Sequence, residues 1–198
     1  IKGGTDTIAA GAGNDTLIAD FSLATGAVSI NTLAGTAAAG YAGNISGLGI
    51  ATFAGVENFE ITSGGFNDTI TTGSGADVVH AGAGSEIVNL AGGNDQAIYT
   101  MAANSGASDV YQGGAGVDTL MLNFTQDQWG SDEVRADIAK YLAFQEAHTS
   151  PSVAAASAVF PFTVFDLSVS EFDALNAIVD GVALDPTDAA VADVADLN

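Results

Sequence analysis

Acidic side chains recur at a fixed interval along this chain. Asp6 and Asp15 are nine residues apart, and so are Asp68, Asp77, Glu86 and Asp95. Asp109 follows Asp95 by fourteen, a nine plus a five-residue insert within "IYTMAAN", and Asp118 follows by nine again. Two residues before the acid stands Gly4, Gly13, Gly75, Gly84, Gly93 or Gly116. Two residues after it stands an apolar or aromatic side chain: Ile8, Leu17, Ile70, Val79, Val88, Ala97, Tyr111 or Leu120. A carboxylate in a glycine-rich turn, with carbonyls around it, is an all-oxygen donor set. Such a set favours Ca²⁺, which accepts six to eight oxygens in a flexible cage, over octahedral Mg²⁺ and over Zn²⁺.

These acids need elements that place them. Glycine tolerates positive φ and close backbone approach, as repeated tight turns require. The D-x-U-x that follows, with U apolar, reads as a very short strand pointing one apolar residue inward. No single unit can bury that face, so the units must stack as a solenoid. With turns on alternate sides, one coil is two units, and carboxylates 18 residues apart stand above one another. The pairs are then Asp77 with Asp95, Asp68 with Glu86, Glu86 with Asp109, and Asp95 with Asp118. Two unit charges ~5 Å apart repel by roughly 3 kcal/mol at an effective dielectric near 20. A divalent cation between them reverses the sign.

The unit "GGAGVDTLM" at 113–121 resembles the RTX (hemolysin-type) nonapeptide G-G-x-G-x-D-x-U-x at every fixed position, and "AGAGNDTLI" at 10–18 misses only the first glycine. The resemblance implies an all-β fold, a right-handed parallel β-roll holding several Ca²⁺ ions between turns two repeats apart. Each ion would take two position-6 carboxylates and turn carbonyls from both units. One implied site is Gly73, Gly75 and Asp77 with Leu90, Gly92 and Asp95. Another is Ala91, Gly93 and Asp95 with Gly113, Ala115 and Asp118. The equivalent turn positions in the other units are Gly11, Gly13, Gly64, Gly82, Gly84 and Gly106, beside Asp6, Asp15, Asp68, Glu86 and Asp109. Missing glycines should matter less than a missing acid, since any residue supplies a carbonyl. Glu86 adds a methylene, so its two sites should be distorted.

Composition narrows the partners. There are 24 acidic residues against Lys2, Arg135 and Lys140, a formal charge of −21. Nucleic acid and anionic membrane surfaces are recognised mainly through Lys and Arg, so neither is expected as a partner. The hydrophobic fraction of 47% is too high for a disordered acidic tail. Cysteine is absent, which excludes disulfides and thiolate metal sites. No apolar run reaches the length of a membrane span and no signal peptide opens the chain. The mid-motif opening "IKGGTDTIAAGAGNDTLI" suggests a piece of a longer repetitive protein, and the resemblance implies that the larger protein is type I-secreted. His80 and His148 are the only histidines, and neither G-x-S-x-G nor H-E-x-x-H occurs, so no catalytic site is expected.

Five regions follow: first repeats at 1–18, a longer coil at 19–62, the main repeat block at 63–122, a C-terminal cap at 123–184 and an acidic linker at 185–198. Alternation at Val28, Ile30 and Leu33 reads as half-buried strand. "F-x-G-V-E-N-F" should carry the stack through Phe53, Val56, Phe59 and Ile61 with a loop pushed outward. Whether Asp15 stacks on Asp77, and Asp6 on Asp68, depends on that coil. In the cap, Ser131 opens a helix to about 148, with Val134, Ile138, Tyr141, Leu142 and Gln145 on one face. Phe124 and Trp129 should cover the last coil. Strands follow at about 160–184, with Asp180-Gly181 turning a hairpin. The first functional reading is a calcium-dependent structural and export module, joined to flanking domains and folding outside the cell. The alternative is an adhesion module, binding a glycan or neighbouring cell-surface protein through the 19–62 loop, where Tyr41 is the aromatic.

Overall fold

A computed structural model describes residues 4–36, 38–47, 49–148 and 158–187. The side chain of Leu33 and residues 188–198 of the expected linker lie outside the described residues. The protein is mostly β-strand. Gly4–Ala9 forms β1 and Thr16–Asp20 forms β2. The next stretch supplies β3 (Ser29–Thr36), β4 (Gly40–Ser46), β5 (Gly49–Val56) and β6 (Asn58–Thr62). The repeat block gives β7 (Thr69–Thr71), β8 (Val78–His80), β9 (Ile87–Asn89) and β10 (Gly92–Gly93). It continues with β11 (Gln96–Thr100), β12 (Asp109–Gln112), β13 (Ala115–Gly116) and β14 (Thr119–Phe124). Helices α1 (Gln126–Trp129) and α2 (Asp132–His148) precede β15 (Val159–Pro161), β16 (Leu167–Ser170), β17 (Ala174–Val179) and β18 (Val182–Leu184).

Two sheets carry the molecule. The first runs β1-β5-β4-β3-β7-β9-β12-β16-β15 and the second β18-β17-β14-β11-β8-β6-β2. Successive nonapeptides go to alternate sheets, so strands two units apart become parallel neighbours. Their register aligns the apolar residue that follows each acid. Ile30, Ile70, Val88, Tyr111 and Val169 form one row. Ile61, Val79, Ala97, Leu120 and Leu175 form the other. All ten are buried. Full burial of a Val, Leu or Ile contributes about 1.5–3 kcal/mol, an upper figure against a compact unfolded chain.

The 19–62 segment is not a loop pushed outward. β3, β4 and β5 pair antiparallel within the first sheet, and β6 joins the second. Phe53, Val56, Phe59 and Ile61 are buried, as are Val28 and Ile30. Three strands therefore separate β1 from β7, and Asp6 does not stack on Asp68. β6 likewise separates β2 from β8. Leu17 registers with Phe59 but Val79 with Ile61, so Asp15 is offset from Asp77 as well. Period-two alternation marks a strand but not whether its neighbour runs parallel or back.

At the other end, Thr125 and Gln128 form a reciprocal capping box on α1, and Phe124 packs on Trp129 with ring centroids 5.8 Å apart. α2 buries Val134, Ile138 and Tyr141, and Gln145 Nε2 donates to the Phe172 carbonyl at 3.1 Å. Asp137 on the same helix is buried. It accepts from the Val164 N–H at 2.9 Å and from Lys140 Nζ at 3.1 Å, and so ties the helix to the chain before β16. β16 and β17 then extend the two sheets in parallel, above β12 and β14. β17 and β18 form an antiparallel hairpin turned by Asp180-Gly181, both at positive φ.

Stacked turns leave no room for a side chain at Gly75, Gly84, Gly93 and Gly116, each two before an acid. A Cβ on Gly93 would lie 1.7 Å from the Gly75 carbonyl oxygen, and one on Gly116 would lie 1.4 Å from that of Gly93. Both residues also have positive φ, 132° and 143°. These glycines therefore matter for space, beyond the carbonyls that any residue could supply. Gly93→Ala and Gly116→Ala should each lower stability by about 2–4 kcal/mol, combining overpacking with backbone strain. Gly26→Ala, at ordinary φ with open space around its Cα, should change it little. Chemical denaturation of the three variants in Ca²⁺ measures the difference.

Candidate metal centre

The position-6 acids form two ladders. Each backbone N–H at a turn donates to the carboxylate of the next turn in the stack. On the second-sheet side Phe59 donates to Asp77 Oδ1 at 2.7 Å, Asp77 to Asp95 Oδ1 at 2.8 Å, and Asp95 to Asp118 Oδ1 at 2.9 Å. Asp118 donates in turn to Asp173 Oδ2 at 2.9 Å. On the first-sheet side Val28 donates to Asp68 Oδ1 at 2.6 Å and Glu86 to Asp109 Oδ1 at 2.8 Å. Asp15 donates its N–H to Glu57 Oε2 at 2.8 Å, so Glu57 and not Asp77 stands above Asp15.

One oxygen of Asp77, Asp95, Asp109 and Asp118 is thereby satisfied. The second oxygen of these four is buried without a partner, as are Asp15 Oδ2 and both oxygens of Glu86. An unpaired buried carboxylate oxygen is costly, and a column of them more so. Among the described residues no three Asp, Glu, His or Cys side chains converge on a point. A cation lodged between two turns would therefore take its other oxygens from the backbone. The donor set suits a hard ion of high coordination number, which is the expected Ca²⁺.

The carbonyls stand ready to different degrees. Those of Gly64, Gly73 and Ala91 each accept one N–H from the turn above, from Ala83 at 2.8 Å, Gly92 at 3.1 Å and Ala115 at 3.0 Å. The Leu90 carbonyl accepts the Thr72 hydroxyl at 3.1 Å. The Gly75 carbonyl faces Gly93, and the Glu171 carbonyl faces Gly113. Gly82 and Gly84 are engaged by Asn104 instead of by backbone, at 3.2 Å each. Gly11 lies against Gly55, while Gly13 has its own Asp15 carboxylate beside it and Gly106 has open space.

Sequence reasoning missed several parts. A second ladder, of amides, runs beside the acids: Asn58 Oδ1 accepts from Ala76 at 2.9 Å, Asn67 Oδ1 from Ser85 at 3.0 Å, and Asn94 Oδ1 from Val117 at 3.0 Å. Asn67 and Asn94 share position 5 of the unit, a signal that was available. Glu57 and Asp173 extend the acidic rows from outside any nonapeptide. Among the predicted acids, Asp6 is in neither row, and Asp68 has both oxygens engaged, by Val28 and by the Ser63 hydroxyl.

Burial pushes the remaining carboxyls up. Asp77 rises to about 6 through burial, against hydrogen bonds that lower it. Asp95 rises to about 8, from burial and then the charges of Asp77 and Asp118. Glu86 rises to about 9, from burial and then from Asp109 and Asp68. Asp109 and Asp118 are raised in the same way, burial first.

A family model of the RTX calcium-binding nonapeptide repeat matches this chain in four copies, over residues 2–21 and 62–97. Repeats of that family bind Ca²⁺ at multiple sites. The unit at 113–121 lies outside the matched residues. No curated protein and no solved structure matches the chain.

The raised values set a pH dependence for the metal-free protein. A carboxyl whose folded value exceeds its unfolded value of about 4 stabilises the fold fully below pH 4. That stabilisation is lost as pH rises, up to about 6 for Asp77, 8 for Asp95 and 9 for Glu86. Chelated protein should therefore melt at a higher temperature at pH 5 than at pH 8. Ca²⁺ requires the ionised carboxylates, so its affinity should move the opposite way. Thermal melts with and without chelator at the two pH values test both signs.

Proposed function

We propose that this chain, which carries RTX calcium-binding nonapeptide repeats, is a structural module that folds when Ca²⁺ binds between its turns. The supporting observation is the column of buried, unpartnered carboxylate oxygens at Asp77, Asp95 and Asp118. In this reading the stacked strands are a right-handed parallel β-roll. α2 and the terminal strands, within 123–184, cover its last apolar layer. One ion lies at Gly73, Gly75 and Asp77 with Leu90, Gly92 and Asp95. A second lies at Ala91, Gly93 and Asp95 with Gly113, Ala115 and Asp118.

The chemistry gives the module its use. Without metal the rows of like charge oppose folding. With metal, each site bound only in the folded state adds RT ln(1 + [Ca]/Kd), about 2.7 kcal/mol at a hundredfold excess. A few sites exceed the ordinary margin of stability, so folding follows the calcium concentration. Such a chain stays unfolded where Ca²⁺ is scarce and folds outside the cell, which suits a secreted protein exported before folding and a module that supports flanking domains. No helix among the described residues is long and apolar enough to cross a membrane. The recognition reading for 19–62 loses its aromatic: Tyr41 is buried, its ring against Gly73 and its hydroxyl accepting from the Ser74 N–H at 2.9 Å.

Far-UV circular dichroism and calorimetric titration of the chelated chain test this reading. Ca²⁺ should raise the β signal cooperatively with several ions bound, and Mg²⁺ should not. Asp95→Asn, at the acid shared by two sites, should cost two ions, and Asp15→Asn at most one. A chelated chain already folded and taking up no Ca²⁺ would refute the proposal.

A further inference from the structure

Glu86 differs from the aspartates in more than length. It is 0% exposed, no donor among the described residues meets either carboxylate oxygen, and its carboxyl lies beside that of Asp109. Three further buried oxygens near it also lack partners: Asp109 Oδ2 and the hydroxyls of Tyr99 and Tyr111. Tyr111 follows Asp109 by two residues on β12, so both side chains leave the strand on its inner face. Tyr99 comes from β11 in the other sheet, and the two rings are 6.2 Å apart. The charges of Asp109 and Glu86 reach both hydroxyls.

Packing does not require phenols here. The residues in register with Tyr111 on either side are Val88 and Val169, which fill the same row with apolar side chains. The turn is also unlike the others. At 104–109 the Asn104 side chain takes the Gly82 carbonyl and the Gly84 N–H at 3.2 Å each, where Gly92 and Ala115 use their own backbone. Beside this turn opens a cavity of about 190 Å³, lined by Tyr99, Asn104, Gly106 and Asp166 among others.

We propose that Glu86, Asp109, Tyr99 and Tyr111 together form an inward-facing site for one hard divalent cation, separate in kind from the turn sites of Asp77, Asp95 and Asp118. The inference rests on the calcium reading of the repeats. Two carboxylates match the charge of one divalent ion, and two phenol oxygens add neutral donors. A phenol titrates near ~10 in water, so each keeps its proton at neutral pH. Its lone pair can face the ion while its O–H donates to a carboxylate oxygen. Of the four side chains, Tyr99 is the one that borders the cavity. The extra methylene of Glu86 then has a purpose: it carries the carboxylate off the ladder and toward the tyrosines.

Calorimetric Ca²⁺ titration of Tyr99→Phe/Tyr111→Phe in the full chain tests this site. Both rings stay in place, so the double variant should still fold in Ca²⁺. One Ca²⁺ should be lost, or weakened roughly 10–100-fold as for removal of supporting ligand contacts, with the others unchanged. An unchanged ion count with unchanged affinities overturns the site while leaving the turn sites standing. Wild-type protein that takes up no Ca²⁺ overturns both. A second measurement does not depend on the double variant folding. The single variants Tyr99→Phe and Tyr111→Phe should each weaken that same one ion and no other in the calorimetric titration. Single variants that both bind every ion as the wild type does overturn the proposal.

Discussion

Parallel pairing at a spacing of two nonapeptides is the constraint from which the rest follows. Neighbouring strands stand about 4.8 Å apart, so whatever occupies position 6 of one unit is set directly above its equivalent. The register that buries Val79, Ala97 and Leu120 in one row necessarily piles Asp77, Asp95 and Asp118 in another. Apolar burial and carboxylate repulsion are thus opposite faces of one arrangement. Neither can be relaxed alone, because a one-residue slip would turn every apolar side chain outward. The stack can be kept only by neutralising the acids where they stand.

The turns are built for that closeness. Gly93 and Gly116 let the carbonyls of Gly75 and Gly93 approach to distances no side chain permits. Where the chain departs from the tight turn, the departure is structured. The insertion before Asp109 places Asn104 across the Gly82 turn, and β3, β4 and β5 widen the first sheet without breaking it. Both departures fall on the first-sheet side, where the acid row is also interrupted by the engaged oxygens of Asp68 and by Glu86. The second-sheet row runs unbroken from Asp77 to Asp173.

Much of this was legible in the spacing alone. An interval of nine, with glycine before the acid and an apolar residue after, predicts the alternating strands, the buried rows and the stacked pairs from Asp77 to Asp118. It also predicts an all-oxygen ion site. The extensions were not legible, for identifiable reasons. Asp173 lies 55 residues beyond Asp118, past a helix, and has no glycine turn before it. Glu57 reaches its row because β2 registers on β6 two residues earlier than β8 does. Asp6 has the repeat spacing, but its neighbour in the sheet is β5, a strand that no repeat encodes. Spacing determines a stack only while every coil has the same length.

Charge at position 6 is the strongest argument for an external ion, and position 5 supplies the comparison. Asn94 Oδ1 accepts a backbone N–H from the neighbouring turn at 3.0 Å, and Asp118 Oδ1 accepts one at 2.9 Å. The two side chains do the same work on adjoining turns. If linking turns were the whole task, a neutral amide would do it at both positions and spare the repulsion between buried acids. The negative charge must therefore answer something else. It is not answered within the described protein: Arg135 pairs with Asp132, Lys140 pairs with Asp137, and all four are on α2. Lys2 lies outside the described residues. Where the carboxyls are ionised, the counter-charge has to come from solution. Because the oxygens waiting for it are buried between turns and spaced by the backbone, it must be a small multivalent cation and not a cloud of monovalent salt.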